Sequence, residues 1–241
     1  MKNPACYLSG YSPCDAKLSG DHLISKSLLS QLGDNAVYIE GLPWCKGLKR
    51  VGVNSITGRV LCRLHNSQLS DFDSSASLLF RCLHQLPKRI VETEQREECV
   101  VNGLNVERWM LKTAATLLAS GNATRNGQVI RSSLNPTWPS ILMRKADFSE
   151  GCGLFLERPA CGTTEMMPEF TIRLNWMDEE CVGVTTSFLG FVFHLHTKRV
   201  ESGSDYLYRP GGMIFQRGNV EKVMAIHYGS AQCGQAPIIK V

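Results

Sequence analysis

Three short stretches of this chain hold side chains that can do metal and phosphodiester chemistry. They are Cys6-Tyr-Leu-Ser-Gly-Tyr-Ser-Pro-Cys14, Ser19-Gly-Asp-His-Leu-Ile-Ser-Lys26 and Val60-Leu-Cys-Arg-Leu-His-Asn66. Cutting a phosphodiester needs a base that activates water, a divalent cation that stabilises charge on the phosphorane and leaving oxygen, and something that holds both in register. Asp21 offers a hard carboxylate of the kind Mg²⁺ or Mn²⁺ prefers. The adjacent imidazole of His22, with an ordinary pKa of about 6.5, can take a proton from water near neutral pH. On a strand, neighbouring residues point to opposite faces. The pair therefore serves one site only where a loop or strand end lets both side chains converge, and the Ser25-Lys26-Ser27 that follows is compatible with such a loop.

Cys62-x-x-His65 places two zinc-type donors at knuckle spacing, and Cys6 with Cys14 would complete a Cys₃His set. Seven residues separate Cys6 from Cys14, wider than the usual roughly two to four. Cys45 is a substitute for Cys14. Ser9 stands where a tight Cys-x-x-Cys would put its second thiol.

Plainer readings stand beside these. Asp21 can cap a helix ahead of Leu23-Ile24. Asn54, in Gly52-Val-Asn-Ser55, can be an ordinary loop residue, and Asn66 can cap a helix running through Leu69. His194 and His196 share a face of a strand but lack further ligands. Cys152, Cys161, Cys181 and Cys233 have no spacing that requires a second zinc site. Trp109 belongs to a core at helical spacing. Tyr206, Tyr208 and Arg209 are weak candidates for a nucleic-acid surface.

Taken together, the three stretches resemble HNH endonucleases: an Asp-His pair closing the first strand, a middle Asn, and a zinc knuckle running into a final His or Asn. The resemblance covers residues 1–75. It implies a zinc-stapled ββα-metal module in which His22 is the general base, and Asp21 and Asn66 hold a catalytic Mg²⁺ or Mn²⁺. It also implies that Asn54 is the middle Asn that orients His22, with Asn35 as an alternative in a turn-like Gly33-Asp34-Asn35. Cys6, Cys14, Cys62 and His65 would hold structural Zn²⁺. The implied activity is hydrolysis of DNA phosphodiester bonds, of the kind met in bacterial or phage restriction and defence. The final motif residue is Asn rather than His, and the first knuckle is stretched. The first rival is a non-catalytic zinc-binding module for nucleic acid. The second is an adaptor whose cysteines only pack.

The elements that must position these residues divide into three spans. The fold class expected is α+β: the ββα module over 1–75, a helical connector over 76–104, and a helix plus mostly antiparallel sheet over 105–241. Ala76 to Leu83 reads as a helix that Pro87 ends or kinks, and Glu92 to Glu98 as an exposed connector. Asn105 is placed to cap a helix through Val106, Trp109, Met110, Leu117 and Leu118, with Gly121 stopping it. A short helix is expected over 141–148. Strands are expected over 170–176, 182–196 with a break at Gly190, and 223–228. Tyr206–Tyr208 and Met213–Phe215 would form a hairpin across Pro210-Gly-Gly212.

The bulk numbers fit this picture. The chain has 241 residues, 43% hydrophobic and 20% charged, as in ordinary folded domains. No apolar run approaches the roughly 18 residues of a membrane helix. The N-terminus lacks the apolar core of a secretory signal, so a cytoplasmic, non-membrane protein is expected. Its ten cysteines then read as thiols or metal ligands rather than disulfides. A net charge of +4 mildly favours a polyanionic partner, and Lys46, Lys49, Arg50, Arg59 and Arg63 gather around the motif residues. The C-terminal domain is the expected place for a protein partner or homo-oligomer contact.

Overall fold

The structure is a computed structural model. It describes residues 3–32, 36–45, 47–93, 95–130, 133–157, 169–199, 205–230 and 233–241. A turn-rich N-terminal segment leads into β1 (Asp21–His22) and α1 (Lys26–Leu29). Next come β2 (Ala36–Glu40), β3 (Lys49–Gly52), a 3-10 turn at Val53–Ser55 and β4 (Thr57–Gly58). Two helices follow, α2 (Arg63–Gln68) and α3 (Ser70–Glu92), then β5 (Glu97–Asn102) and α4 (Gly103–Ser120). A small hairpin, β6 (Ala123–Arg125) and β7 (Gln128–Ile130), precedes α5 (Trp138–Leu142). The remainder is strands: β8 (Gly153–Glu157), β9 (Glu169–Met177), β10 (Glu180–Phe188), β11 (Phe191–His196) and β12 (Tyr206–Tyr208). The last are β13 (Gly212–Arg217), β14 (Val220–His227) and β15 (Ile238–Lys240).

The chain is therefore a mixed α+β protein. Its main sheet runs β12-β8-β11-β10-β9-β2-β3, and a smaller sheet runs β15-β13-β14-β5. Antiparallel pairs dominate, with parallel pairing where β2 meets β9, β13 meets β15 and β14 meets β5. The helices α3 and α4 pack on each other and touch strands of both sheets. Phe80 of α3 lies at the centre, its ring 4.1 Å from Phe188 and 5.7 Å from Trp109 between centroids. Buried side chains from Cys6 to Ile239 form one continuous core. Strands β2 and β3, from the first 75 residues, extend the sheet built by the last hundred or so. Helix α3 runs across the residue 75–76 boundary.

Several local expectations change. Pro87 neither ends nor visibly breaks α3, which continues to Glu92 with Pro87 buried inside it. A helix-interior proline costs about 3 kcal/mol, but Leu79, Phe80, Leu83, Leu86 and Ile90 are buried along the same helix, at roughly 1.5–3 kcal/mol each. The cap of α4 is Asn102, not Asn105: the Asn102 side chain accepts the backbone N–H of Asn105 at 3.0 Å. Gly121 closes that helix as expected, at φ +73° in the left-handed region. The short helix lies earlier, at Trp138–Leu142. Gly190 does divide the long apolar run, turning β10 into β11.

The expected Tyr206–Phe215 hairpin does not form, because β12 pairs with β8 in the main sheet while β13 pairs with β14 and β15 in the other. Arg209 at the crossover is buried against Glu107, which removes it from the candidate nucleic-acid surface. Cys82 of α3 and Cys99 of β5 are joined as a disulfide, contrary to the reading of all ten cysteines as thiols or ligands. Among the described residues no helix is long and apolar enough to cross a membrane.

Candidate functional site: a Cys₃His cluster beside an Asp-His strand

Cys62 is the N-cap of α2 and accepts the backbone N–H of His65 on its sulfur at 3.4 Å. One helical turn then places the His65 ring back over Cys62. Upstream, the chain is laid against this segment by backbone bonds. Tyr7 donates to Val60 O (3.0 Å), Ser19 to Leu61 O (2.8 Å) and Arg63 to Lys17 O (3.1 Å). Those bonds carry Cys6 and Cys14 to the base of α2. His65 Nδ1 stands 3.2 Å from Cys6 Sγ, 3.3 Å from Cys62 Sγ and 3.6 Å from Cys14 Sγ. All four donor atoms lie within 4.8 Å of one another.

A tetrahedral zinc with bonds of about 2.3 Å to sulfur and 2.05 Å to nitrogen puts each S···N pair about 3.5 Å apart. The observed separations fit that ion. The other ring nitrogen, Nε2, faces Ser12 Oγ at 2.5 Å, which leaves Nδ1 as the ligating nitrogen. Burial pushes the Cys6 thiol up to about 12. Burial acts on Cys62 in the same direction, but hydrogen bonds from the backbone N–H groups of His65 and Asp15 and from the neighbouring thiols carry its pKa below the usual thiol value. Burial also lowers the His65 pKa, favouring the neutral ring a metal needs. Cys45, the alternative fourth ligand, is buried elsewhere as a free thiol and is not in the cluster. The stretched spacing from Cys6 to Cys14 is taken up by turns through residues 7–12.

The Asp-His pair occupies β1, antiparallel to β4, with Asp21 opposite Gly58 and His22 opposite Thr57. It is a strand rather than a helix cap, and at two residues it is all strand end. The ring of His22 is half-buried with its Nε2 covered. Asp21 is placed by its backbone alone; its side chain lies outside what is described. Asn66 lies in α2, not at its cap, and its Nδ2 donates to Ser19 Oγ at 3.1 Å, two residues ahead of Asp21. So β1, β4 and α2 come together in space with the motif residues on adjoining elements.

Asn54 sits on the 3-10 turn before β4, exposed, and forms no side-chain hydrogen bond among the described residues. The tie to His22 that the resemblance implies is not made here. Asn35 and Lys46 lie outside the described residues, as does Cys161. Lys49, Arg50, Arg59 and Arg63 are all exposed. His194 and His196 do share a face, their rings stacked 6.0 Å apart. They form no cluster of three metal donors among the described residues.

Sequence reasoning missed the residues that support the site from other elements: Ser12, Ser19, Ser25, Asp73 and Lys112. Lys112 Nζ donates to Asn66 Oδ1 (3.3 Å) and Asp73 Oδ2 (2.7 Å). Ser25 Oγ donates to Asp73 Oδ1 and accepts from Trp109 Nε1 at 2.8 Å. The available signal was a lysine three residues after Trp109 in the middle of a long helix. No protein-family model matches the chain, no curated protein matches its sequence, and no solved structure matches its fold.

Proposed function

We propose that this protein is a metal-dependent endonuclease of the HNH type, acting on the phosphodiester backbone of DNA. One observation carries the reading. The Cys₃His cluster ties the N-terminal segment to the start of α2, so that Asn66 on that helix is bonded to Ser19, beside the Asp21-His22 strand. Zinc in that cluster would supply a cross-link that a small loop-rich segment needs to hold its shape.

In this reading His22 takes the proton from water. Asp21 and Asn66 would hold a Mg²⁺ or Mn²⁺, which when bound stabilises charge on the phosphorane and the leaving 3′-oxygen. The exposed cations Lys49, Arg50, Arg59 and Arg63 suit contacts to backbone phosphates, which orient the duplex without reading its sequence.

The test is nicking of supercoiled plasmid by the full chain with Mg²⁺, with EDTA and with His22→Ala. Cleavage is expected only with Mg²⁺ and the intact histidine, and the His22→Ala chain should still shift DNA in a gel. A second reading, a zinc-bearing module that binds nucleic acid without cutting it, draws on the missing contact between Asn54 and His22. Binding without cleavage by the wild-type chain, in Mg²⁺ and in Mn²⁺, would establish that reading and end the first.

A further inference from the structure

The carboxamide of Asn66 is held at both ends. Its nitrogen donates to Ser19, and its carbonyl oxygen accepts from the ammonium of Lys112. Lys112 comes from α4, 46 residues further along the chain, and its side chain is only 5% exposed. A buried lysine is costly unless paired, and here Asp73 supplies the counter-charge at 2.7 Å. Both Asp73 oxygens are engaged, one with Lys112 and one with Ser25. The face of α4 that carries Lys112 also carries Trp109, bonded to Ser25, and Thr116, whose Oγ1 is 3.5 Å from Tyr7 Oη. Positions 109, 112 and 116 follow the helical period, so one stripe of α4 forms a wall against the N-terminal elements.

We infer that Lys112 is a positioning residue of the proposed nuclease site: it holds the Asn66 carbonyl oxygen in the orientation that ligation of a divalent cation requires. This rests on the HNH reading above. An amide on a short side chain turns easily about its last torsion, whose energy wells are broad and two-fold. With Lys112 in place, Nδ2 faces Ser19 and the oxygen is kept on the opposite side. Without it, the bare Asp73 carboxylate attracts Nδ2 and turns the oxygen away. Asp73 also neutralises the ammonium, so Lys112 directs the ligand without placing an unbalanced positive charge beside the cation. The C-terminal part of the chain is then part of the metal site rather than an appendage to it.

The experiment uses the full chain as wild type, K112M, K112R and N66A, each with its zinc content measured. Mn²⁺ binding is titrated by electron paramagnetic resonance, and plasmid nicking is followed against Mg²⁺ concentration. K112M is expected to weaken Mn²⁺ binding by about tenfold or more, the usual effect of losing a partner that orients a metal ligand. The Mg²⁺ concentration for half-maximal nicking should rise in step, and the rate at saturating Mg²⁺ should return to within about threefold of wild type. K112R should recover most of the loss, and N66A should remove the Mn²⁺ site while keeping zinc.

Unchanged Mn²⁺ affinity in K112M, or a rate loss that added metal does not recover, overturns the inference and leaves the nuclease reading standing. Should K112M lose its zinc, D73N decides. It removes the carboxylate that pairs with Lys112 at 2.7 Å and is expected to weaken Mn²⁺ in the same direction; wild-type affinity in D73N overturns the inference. A wild-type chain that binds no Mn²⁺ overturns the site itself, and this inference with it.

Discussion

His65 shows how much one residue settles. Its spacing from Cys62 marks it as a metal donor, and the ring nitrogen that points at three sulfurs is the one left over once Nε2 meets Ser12. Changing Cys62→Ser removes both a donor of the Cys₃His cluster and the cap of α2. Purified Cys62→Ser is expected to lose stoichiometric zinc, read by elemental analysis. Its melting temperature should fall by about 10 °C, since a lost metal ligand costs several kcal/mol and each kcal/mol shifts a chain of this size by roughly 2–4 °C. Retention of zinc by that variant would remove Cys62 from the ligand set. Cys62 and His65 were legible in the sequence because a thiol and an imidazole at knuckle spacing have few other uses; Cys6 was a candidate beside them, and the choice between Cys14 and Cys45 was left to the fold. Ser12 and Lys112 were not, because a serine or a lysine advertises nothing until its neighbour is known.

At the scale of elements, the sequence located helices and strands better than their ends. Gly121 closes α4 because glycine alone takes a left-handed backbone cheaply. The start of the same helix was read three residues late. Two asparagines lie close together there, and only the geometry shows that Asn102 accepts from Asn105 rather than the reverse. Asn102→Ala is expected to cost about 1 kcal/mol, seen as a melting temperature lower by roughly 2–4 °C. Asn105→Ala should do much less, and equal losses would refute the assignment. Pro87 teaches the opposite lesson. Its local rule was sound, and packing along α3 overrode it.

Across the whole molecule, two sheets are joined by α3, α4 and a buried ion pair. Glu107, fully buried, receives Arg209 on both oxygens at 2.8 and 3.1 Å. Arg209→Met would leave an uncompensated carboxylate in the core, a loss of roughly 3–5 kcal/mol by chemical denaturation. The double change with Glu107→Gln should recover part of it, and additive losses would count against the pair.

Acid should destabilise the protein through the stacked histidines. Burial, then the neighbouring His194, lowers the His196 pKa from 6.5 to about 4, and burial lowers His194 as well. Between those values the unfolded chain binds the proton and the folded chain does not. Stability is therefore full above pH 6.5 and falls as pH drops toward 4, by at most about 3 kcal/mol for His196. His196→Gln should flatten that slope in denaturant titrations, and an unchanged slope would assign it to other groups.

The sequence by itself determined the ligand types, the Asp-His pair and the α+β character. These depend on residue chemistry and short-range periodicity, which travel with the chain. Tertiary structure decided the rest: that Cys14 and not Cys45 joins the cluster, that β2 and β3 complete a sheet made far downstream, and that α4 reaches Asn66 through Lys112. Each of these is a meeting of residues distant in sequence. Such meetings are chosen by how the whole core closes, so no local pattern can encode them.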